Sequence, residues 1–278
     1  MQHRALKKTA RNMGSFLLNV PLLAVILVPL LYTLLISIMP ASEIYKNRLI
    51  PSAIQLSNYV KAFTNPSYPF VRFIFNSLIV STTVMLGQMV TCSMAAFAFA
   101  FLDFKGKKVL FILILATMMV PAEATIIANY LSISSLGWLD TYQALILPYL
   151  TSAMGIFLLR QNYLTFAKEL HEAARLDGCS NARFLVSVVA PLSRPALGAL
   201  GAYVFLNTWN QYMWPLLVTN TAARRTVQIG ISMLYDIDAE ALGLMMAGVV
   251  IVIVPSLSIF IFMQKQLING LMAGAVKG

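Results

Sequence analysis

Long apolar runs separated by short polar segments dominate the chain. Four runs without a charged residue each exceed the roughly 20 residues that a helix needs to cross the hydrocarbon core of a bilayer, and they are 12–42, 73–102, 195–223 and 241–264. A fifth run, 141–159, is just long enough, and a sixth candidate begins at Val109 and is interrupted by Glu123. The pattern predicts an all-α integral membrane protein with six transmembrane helices, near residues 16–38, 74–101, 107–129, 141–160, 195–218 and 242–264.

The composition excludes several classes of protein. The 278 residues are 59% hydrophobic and only 11% charged, with a mean hydropathy of +0.78. A soluble domain usually carries about 25% charged residues, so an ordinary cytosolic enzyme and a disordered chain are excluded. The net charge of +10 does not indicate a nucleic-acid binder, because a basic excess in so apolar a chain is typical of the cytoplasmic loops of membrane proteins.

The positive charges predict the orientation. With the N-terminus inside, fourteen of the 20 Lys and Arg residues fall on inner segments, so the positive-inside rule places both termini in the cytoplasm. The first apolar stretch is longer than the roughly 7–15 residues of a secretory signal core. We therefore predict a cytoplasmic leader over residues 1–15 and a transmembrane domain over 16–278, which includes a cytoplasmic loop over 160–194.

This loop has helical character although it is too polar to cross a membrane. The stretch 164–176 contains good helix formers and neither Gly nor Pro. Gly178 follows at the position of a helix-ending residue with positive φ. A second short helix over about 181–189 is expected to stop before Pro191. The pattern predicts a helix, a glycine turn and a second helix.

Small residues with charged neighbours indicate that the first of these helices binds a partner. Ala173 and Ala174 would let a partner's backbone approach closely, and a charged rim is formed by Glu172, Arg175 and Asp177. The alternative is a solvated connector. Two points favour the partner: a simple connection needs only a handful of residues, and an apolar, small-residue face would be wasted in water.

The spacing of this segment is similar to a known motif. Glu172-Ala173-Ala174, then three residues, Gly178, nine residues, Val188, one residue, Ala190 and Pro191 resemble the EAA loop of ATP-binding-cassette (ABC) importer permeases. Only Ala190 departs, since the family usually has Leu there.

Other stretches resemble the carbohydrate-uptake branch, which includes the second permeases of maltose-type and glycerol-3-phosphate-type importers; they are residues 76–78, 95–99, 104–107, 119–121, 136–141 and 209–216. Phe97 and Phe101 are less typical, because the family often has Tyr and a basic residue at these positions. The resemblance extends from about residue 14 to the C-terminus.

The resemblance implies a type I ABC importer permease fold in the bacterial cytoplasmic membrane. Such a chain forms half of the path for a sugar or sugar-like solute: a disaccharide, oligosaccharide or monosaccharide, with glycerol-3-phosphate or a glycerophosphodiester also open. The implied partners are a second permease in a heterodimer, two ATPase subunits and an extracellular solute-binding protein. The residues implied to couple to the ATPase are Glu172, Ala173, Ala174, Arg175, Asp177, Gly178 and Pro191.

The chain itself carries no signature of catalysis. No G-x-x-x-x-G-K-[ST] motif occurs, so ATP and Mg²⁺ are expected on the partner ATPase chains and no cofactor on this one. The only histidines, His3 and His171, do not support a metal site or acid–base chemistry. An ion-coupled secondary transporter is the alternative function, but it needs ionisable groups near the bilayer centre, and Glu123 is the sole acidic candidate.

Polar residues near the end of the fifth span are candidates for the solute path. One helical face is predicted to hold amides and an indole, with two further aromatic residues around it; the full set is Asn207, Trp209, Asn210, Gln211, Tyr212 and Trp214. Amides can pair with hydroxyls and aromatic faces can pack on sugar rings. An aromatic belt at the membrane interface is an equally good interpretation.

Two further polar features lie within the predicted spans. Glu123 is a further candidate for the solute path, as a functional intramembrane acid. A structural carboxylate at the interface is an equally good interpretation, given Pro121 beside it. The second span has a polar side formed by Ser77, Ser81, Gln88 and Thr91, for which packing between helices is the expected role. The outer loop 219–240 faces the side on which a solute receptor would dock, without a distinctive motif.

Overall fold

The structure, a computed structural model, describes residues 2–44, 46, 48, 50–64, 68–236 and 242–272. All regular secondary structure in these ranges is helical, which confirms the predicted class. A 3₁₀ segment, Leu147–Tyr149, follows α7, and a π-helical segment, Leu185–Val189, follows α10. The α-helices are α1 Gln2–Ser37, α2 Ala41–Ile44, α3 Ser57–Thr64, α4 Phe70–Phe101, α5 Lys107–Thr117, α6 Ala122–Ser135, α7 Tyr142–Ile146, α8 Ala153–Tyr163, α9 Lys168–Leu176, α10 Asn181–Phe184, α11 Ala190–Leu192, α12 Arg194–Trp209, α13 Met213–Val218, α14 Val227–Asp236 and α15 Leu242–Met272.

Three helical segments among the described residues are long and apolar enough to cross a membrane. They are Asn19–Ser37, Phe70–Phe101 and Leu242–Phe262, which match the first, second and sixth predicted spans. Two bent helix pairs pass the same test, Tyr142–Tyr149 with Ala153–Tyr163 (42°) and Asn181–Leu192 with Arg194–Trp209 (84°). The described residues therefore supply three to five spans, and six spans with both termini inside stay a prediction.

The third predicted span, 107–129, is wrong as a continuous helix. Its first part, α5, ends at Thr117, and α6 begins only at Ala122. The break precedes Pro121, because proline restricts the residue before it to extended conformations and cannot donate a helical hydrogen bond. With 11 residues, α5 is about 16 Å long, which is short of the hydrocarbon thickness.

The fifth predicted span, 195–218, is also interrupted. The helix α12 ends at Trp209 and α13 begins at Met213. If the helix continued, the ring of Pro215 would clash with the carbonyl four residues earlier. Asn210 instead folds its side-chain amide back onto the Leu206 carbonyl (2.9 Å) at the end of α12.

The predicted outer loop 219–240 contains regular structure, since α14 occupies Val227–Asp236. Residues 237–240 of this loop lie outside the described residues, as do residues 273–278 at the C-terminal end of the predicted transmembrane domain. The predicted leader joins the first span without a break, because α1 runs from Gln2 to Ser37.

The described residues divide into two compact units. The first comprises residues 1–68 and 231–253. Within it, the Ser37 hydroxyl at the end of α1 shares a hydrogen bond with the Tyr59 hydroxyl (2.7 Å), and Asn58 Nδ2 donates to the Ser37 carbonyl (3.1 Å). These bonds hold α3 against the end of α1.

The second unit comprises residues 69–230 and 254–278 and contains the main core, in which α4 packs against α8 and α12. The approach of α4 and α8 depends on a small residue. A Cβ added at Gly155 would lie 2.8 Å from Cys92 Sγ, closer than such atoms pack. Small residues at helix contacts are typical of membrane proteins, where close backbone approach favours association.

The polar side of α4 holds the break before α8. Gln88 Nε2 donates to the Tyr149 carbonyl (2.8 Å), Thr91 Oγ1 donates to the Leu150 carbonyl (2.5 Å), and Ser152 Oγ donates to Gln88 Oε1 (2.8 Å). Backbone groups freed by a helix break within a membrane need partners from neighbouring helices. The interhelical role predicted for Gln88 and Thr91 is confirmed.

Candidate functional site

The helix α9 carries most of the residues that resemble the EAA motif. Glu169 lies in its first turn and Arg175 in its last. Each charge is therefore at the end of the helix where the helix dipole favours it. A polar helix of nine residues gains little from its own propensity, so its position depends on how its ends and its one buried side chain are held.

The C-terminal end of α9 is closed by a Schellman motif. Gly178 has a φ of 76°, in the left-handed region, which confirms the positive φ predicted for it. Its N–H donates to the Arg175 carbonyl (3.1 Å), and the Cys179 N–H donates to the Ala174 carbonyl (2.9 Å). These two bonds satisfy carbonyls at the helix end and turn the chain sharply.

One side of α9 and its turn are exposed. We call this surface the α9 edge; it consists of Glu172, Ala173, Arg175, Leu176, Asp177 and Gly178. Leu176 is not singled out by the motif, although it is 89% exposed. Because burying a leucine is worth roughly 1.5–3 kcal/mol, Leu176 offers apolar contact area between charged neighbours.

Ala174 is not part of this exposed surface. It is half-buried and packs against the chain's own core. The prediction that both alanines are open to a partner is therefore wrong for Ala174 and holds for Ala173. The reason is the 100° rotation between successive helical residues, which turns Ala174 towards the core.

The opposite side of α9 is anchored by His171. It is the buried residue of α9, with 7% of its surface exposed. Its Nε2 lies 3.1 Å from Asn181 Oδ1, and its ring lies 5.3 Å from that of Phe101 and 5.0 Å from that of Phe184. As one of two histidines in the sequence, His171 is a candidate only for metal or acid–base chemistry, and its packing role is not predicted. A spacing of three residues puts His171 on the same face as Ala174, but the sequence alone does not show that this face is turned inward.

The segment after the turn is helical beyond the expected end. Ser180 caps α10, since its side chain accepts from the Arg183 N–H (3.3 Å). Helical structure then continues through Pro191 to Leu192, so the predicted stop before Pro191 is wrong. A π-helical turn explains this: the Ala190 N–H bonds to the Leu185 carbonyl five residues earlier, and this wider turn accommodates the proline. Pro191 is exposed.

An apolar groove of about 500 Å³ separates α4 from this second helical segment. Met94 and Phe97 line it on α4, and Leu185 and Val186 line it on the other side. Asn181, the hydrogen-bond partner of His171, also lines the groove. Beside the groove, α4 and this segment pack directly through Phe184, whose ring lies 6.3 Å from that of Phe97 and 5.7 Å from that of Phe101.

The break between α12 and α13 separates the predicted solute-path residues. Asn207 and Asn210 are exposed on α12 and at its end, Gln211 is half-buried, and Tyr212 is exposed. Asn210 Oδ1 also accepts from Gln228 Nε2 (3.3 Å). The single helical face predicted from Asn207 to Trp214 is wrong, because the helix ends at Trp209.

Both tryptophans of this set are buried inside the chain. Trp209 is 1% exposed and stacks on Phe205, with ring centroids 5.8 Å apart. Trp214 is 2% exposed, and its Nε1 donates to the Ala144 carbonyl (3.0 Å). Neither indole presents a face on which a solute could stack, so these two residues hold the fold in this conformation.

Asp140 organises the loop that follows α13. It has a φ of 59°, which is uncommon for a residue other than glycine. Its carboxylate accepts from the backbone N–H groups of Asn220 (3.0 Å) and Thr221 (3.1 Å) and from the Thr221 hydroxyl (2.6 Å). Burial alone would raise the pKa of Asp140, but these bonds and the charge of Arg224 hold the pKa below its usual value.

A second set of bonds ties the same loop to the start of α4. The Tyr142 hydroxyl donates to Asn76 Oδ1 (2.7 Å), and Asn76 Nδ2 donates to the Arg225 carbonyl (2.8 Å). The Val227 N–H donates to Ser77 Oγ (2.9 Å). The loop after α13 is therefore bound from two stretches that carry part of the family resemblance, through Asp140 of 136–141 and through Asn76 and Ser77 of 76–78.

Glu123 lies in the first turn of α6, directly after the break at Pro121, and is exposed. A carboxylate at a helix N-terminus is favoured by the helix dipole. This placement fits the interpretation of Glu123 as a structural carboxylate at the membrane interface.

The part of the chain that the structure describes contains no cluster of metal-binding side chains. No group of three or more His, Cys, Asp or Glu residues is close enough there to hold an ion. The two cysteines, Cys92 and Cys179, are free thiols.

Known proteins resemble the chain over most of its length. A family profile described as "Binding-protein-dependent transport system inner membrane component" matches residues 87–266. The arabinooligosaccharides transport system permease protein AraQ of Bacillus subtilis is 34% identical, covering 91% of this chain and 91% of its own length. The sn-glycerol-3-phosphate transport system permease protein UgpE of Agrobacterium fabrum is 35% identical, covering 87% and 89%. The trehalose/maltose transport system permease protein MalG of Thermococcus litoralis is 31% identical over the full length of both chains.

A solved structure shares the fold. The chain matches part of a bacterial ABC transporter involved in the import of the acidic polysaccharide alginate, with a TM-score of 0.82. The match covers 91% of this chain and 94% of the other, at 22% sequence identity. The likeness confirms the permease fold that the motifs predict.

Proposed function

The chain belongs to the family of binding-protein-dependent transport system inner membrane components, and from this premise we propose that it is a permease subunit of an ATP-driven importer for a sugar or sugar-like solute. The observation that carries the proposal is the α9 edge: an exposed surface with a charged rim, held by a Schellman turn at Gly178. A surface of this kind suits a groove on a partner protein.

The partner at the α9 edge is an ATPase subunit. Two such chains hold ATP and Mg²⁺, while a second permease completes the path as a heterodimer and an extracellular solute-binding protein delivers the solute. The contacts to the ATPase are made by Glu172, Ala173, Arg175, Asp177 and Gly178, with Leu176 as an added apolar contact. Ala174 and Pro191 act behind them, Ala174 by packing on the core and Pro191 on the following segment.

The solute is a polyhydroxylated compound. The relatives described above are named for arabinooligosaccharides, glycerol-3-phosphate and trehalose or maltose. In this chain, Asn207, Asn210 and Tyr212 are exposed, and Asn210 is joined to Gln228 by a hydrogen bond. Amides pair with hydroxyl groups in both donor and acceptor roles. We place the solute contacts of this subunit on these residues.

The subunit works by rigid-body motion of helices. When the ATPases close on ATP, the α9 edge moves with them, and the attached helices tilt so that the path opens to the other side. This requires α9 on the cytoplasmic side of a bacterial cytoplasmic membrane, the orientation that the positive charges predict.

Reconstitution of the complete complex tests the proposal. The chain is co-expressed with the ATPase, the second permease and the solute-binding protein of its complex. Uptake of a sugar into proteoliposomes that contain ATP is then measured. Glu172→Lys and Gly178→Trp are expected to leave membrane insertion intact and to uncouple ATP hydrolysis from uptake, because both change the α9 edge.

Asp103→Lys is the matched control. Asp103 is fully exposed in the turn before α5, on the same predicted side, and its substitution makes the same change of charge away from α9. Normal uptake and normal solute-stimulated ATPase activity in the Glu172→Lys variant would contradict the proposal. Uptake by this chain alone, driven by an ion gradient, would favour a secondary transporter instead.

A further inference from the structure

The position of α9 depends on very little buried surface. His171 is the buried residue of the helix, and only Ala174 adds a half-buried contact to the core. A helix docked through so few side chains takes its orientation from them. The contacts of His171 therefore decide how a force on the α9 edge enters the rest of the chain.

The imidazole joins α9 to α10 across the Gly178 turn. His171 Nε2 donates to Asn181 Oδ1 (3.1 Å), since an amide oxygen is an acceptor. The Schellman turn sets the direction of the chain at Gly178. The hydrogen bond between His171 and Asn181, which are ten positions apart, fixes the angle between α9 and α10. Without this bond, α10 is held to α9 only by the turn and by ring packing.

The same ring joins α9 to the end of α4. His171 meets Phe97 edge to face (89°, 5.9 Å between centroids) and lies 5.3 Å from Phe101. Phe184 of α10 closes the cluster at 5.0 Å from His171. Beside this cluster, the apolar groove of about 500 Å³ lies between α4 and Leu185, Val186 and Ala190. The cluster around His171 is thus the place where α4, α9 and α10 meet.

From this geometry we propose that His171 is a positioning residue for coupling: it makes α9, α10 and the end of α4 move as one body, so that motion of the α9 edge reaches the membrane helices. The inference rests on the proposed function, because it needs an ATPase on the α9 edge. His171 itself contacts neither the ATPase nor the solute.

The hydrogen bond separates a positioning role from simple core packing. His171→Phe keeps an aromatic ring among Phe97, Phe101 and Phe184 but cannot donate to Asn181. Asn181→Ala removes the acceptor and leaves the ring of His171 in place. If both substitutions act through the one bond, their effects on coupling are not additive, and the double variant behaves like either single variant.

The measurement is the number of ATP molecules hydrolysed per solute imported, in proteoliposomes that hold the complete complex. We expect His171→Phe and Asn181→Ala each to raise this number about three- to tenfold, and the double variant to raise it no further. The ATPase is expected to co-purify with all three variants in the wild-type amount. Ser187→Ala, at an exposed position of the π-helical turn, is the matched control and is expected to leave the number unchanged.

Three results would overturn the inference. They are an unchanged ATP-to-solute ratio in both single variants, fully additive effects in the double variant, and loss of the ATPase from the variant complexes, which would mark His171 as a stability residue. A wild-type complex from which no ATPase co-purifies would refute the proposed function itself. The co-purification and the ratio therefore distinguish failure of the inference from failure of its premise.

Discussion

Replacing Gly178 with Ala isolates the energetic cost of the turn after α9. A Cβ added at this position would meet no heavy atom within 4 Å, so the substitution introduces no clash. The backbone, with its φ of 76°, is what a side chain disfavours, by about 1–2 kcal/mol for an L-residue in the left-handed region. We therefore expect the turn to open about 5- to 30-fold more often in Gly178→Ala than in the wild type.

Hydrogen–deuterium exchange reads this opening directly. The N–H groups of Gly178 and Cys179 donate the two bonds of the Schellman motif, so a peptide that contains them exchanges faster when the turn opens. Gly178→Asn is the matched control, because Asn tolerates the left-handed region and is expected to exchange more slowly than the Ala variant. Equal protection in Gly178→Ala and wild type, or faster exchange in Gly178→Asn than in Gly178→Ala, would refute the reasoning.

Three substitutions test other parts of the fold. Trp214→Phe leaves the Ala144 carbonyl without its buried donor and is expected to cost about 1–3 kcal/mol, so an unchanged melting temperature of the complex in detergent would contradict the burial argument. Gly155→Ala forces a Cβ to within 2.8 Å of Cys92 Sγ and is expected to cost about 1–3 kcal/mol, of which a second substitution, Cys92→Ala, recovers part. Asp140→Asn is expected to lower the melting temperature near neutral pH and to lose this effect in acid. The depressed carboxyl pKa of Asp140 stabilises the fold above the unfolded-state pKa, and this stabilisation disappears as the pH falls through the folded-state pKa. A difference in melting temperature from wild type that does not change with pH would contradict this prediction.

Local chemistry made several features predictable. The long charge-free runs give α4 and α15 because an apolar helix in a bilayer needs no tertiary partner to satisfy its backbone. Gly178 takes a positive φ because glycine is the residue that does so without a Cβ penalty at a helix end. Each of these outcomes depends on residues within one or two helical turns.

The errors share a different cause. A count of apolar residues measures transfer into lipid and carries no information on backbone geometry. The run 195–223 passes that count, yet its helix is interrupted before Met213, and the stretch 107–129 is interrupted before Ala122. Proline favours such breaks at Pro121 and Pro215, but Pro255 lies inside the unbroken helix α15, so the position of a break depends on packing as well. Ala174 and Trp214 were assigned to a partner and to a solute from their residue type. Their burial depends on neighbours that only the fold brings close, as with the Ala144 carbonyl 70 residues from Trp214.

His171 shows the same limit more clearly. Its partners Phe97 and Phe101 are about 70 positions away in the chain, so no local spacing connects them. They are nevertheless the two positions at which the end of the second span departs from the family's usual Tyr and basic residue. Phe101, at the position where a basic residue is common, completes an aromatic pair with Phe97, and His171 packs its ring against both. A departure from a family pattern was thus informative about packing even where the motif itself was silent.

The helix α4 connects the polar contacts of the second unit along its whole length. Near its start, Asn76 and Ser77 bind the loop after α13; in its middle, Gln88 holds the break before α8; at its end, Phe101 packs on His171. Hydrogen bonds between membrane helices are worth about 0.6 kcal/mol on average, so no single one of them can carry the full motion. A signal from α9 would spread over all three levels, and the loss of one contact would weaken coupling without abolishing it, which is why the His171 experiment measures a ratio and not the presence or absence of transport.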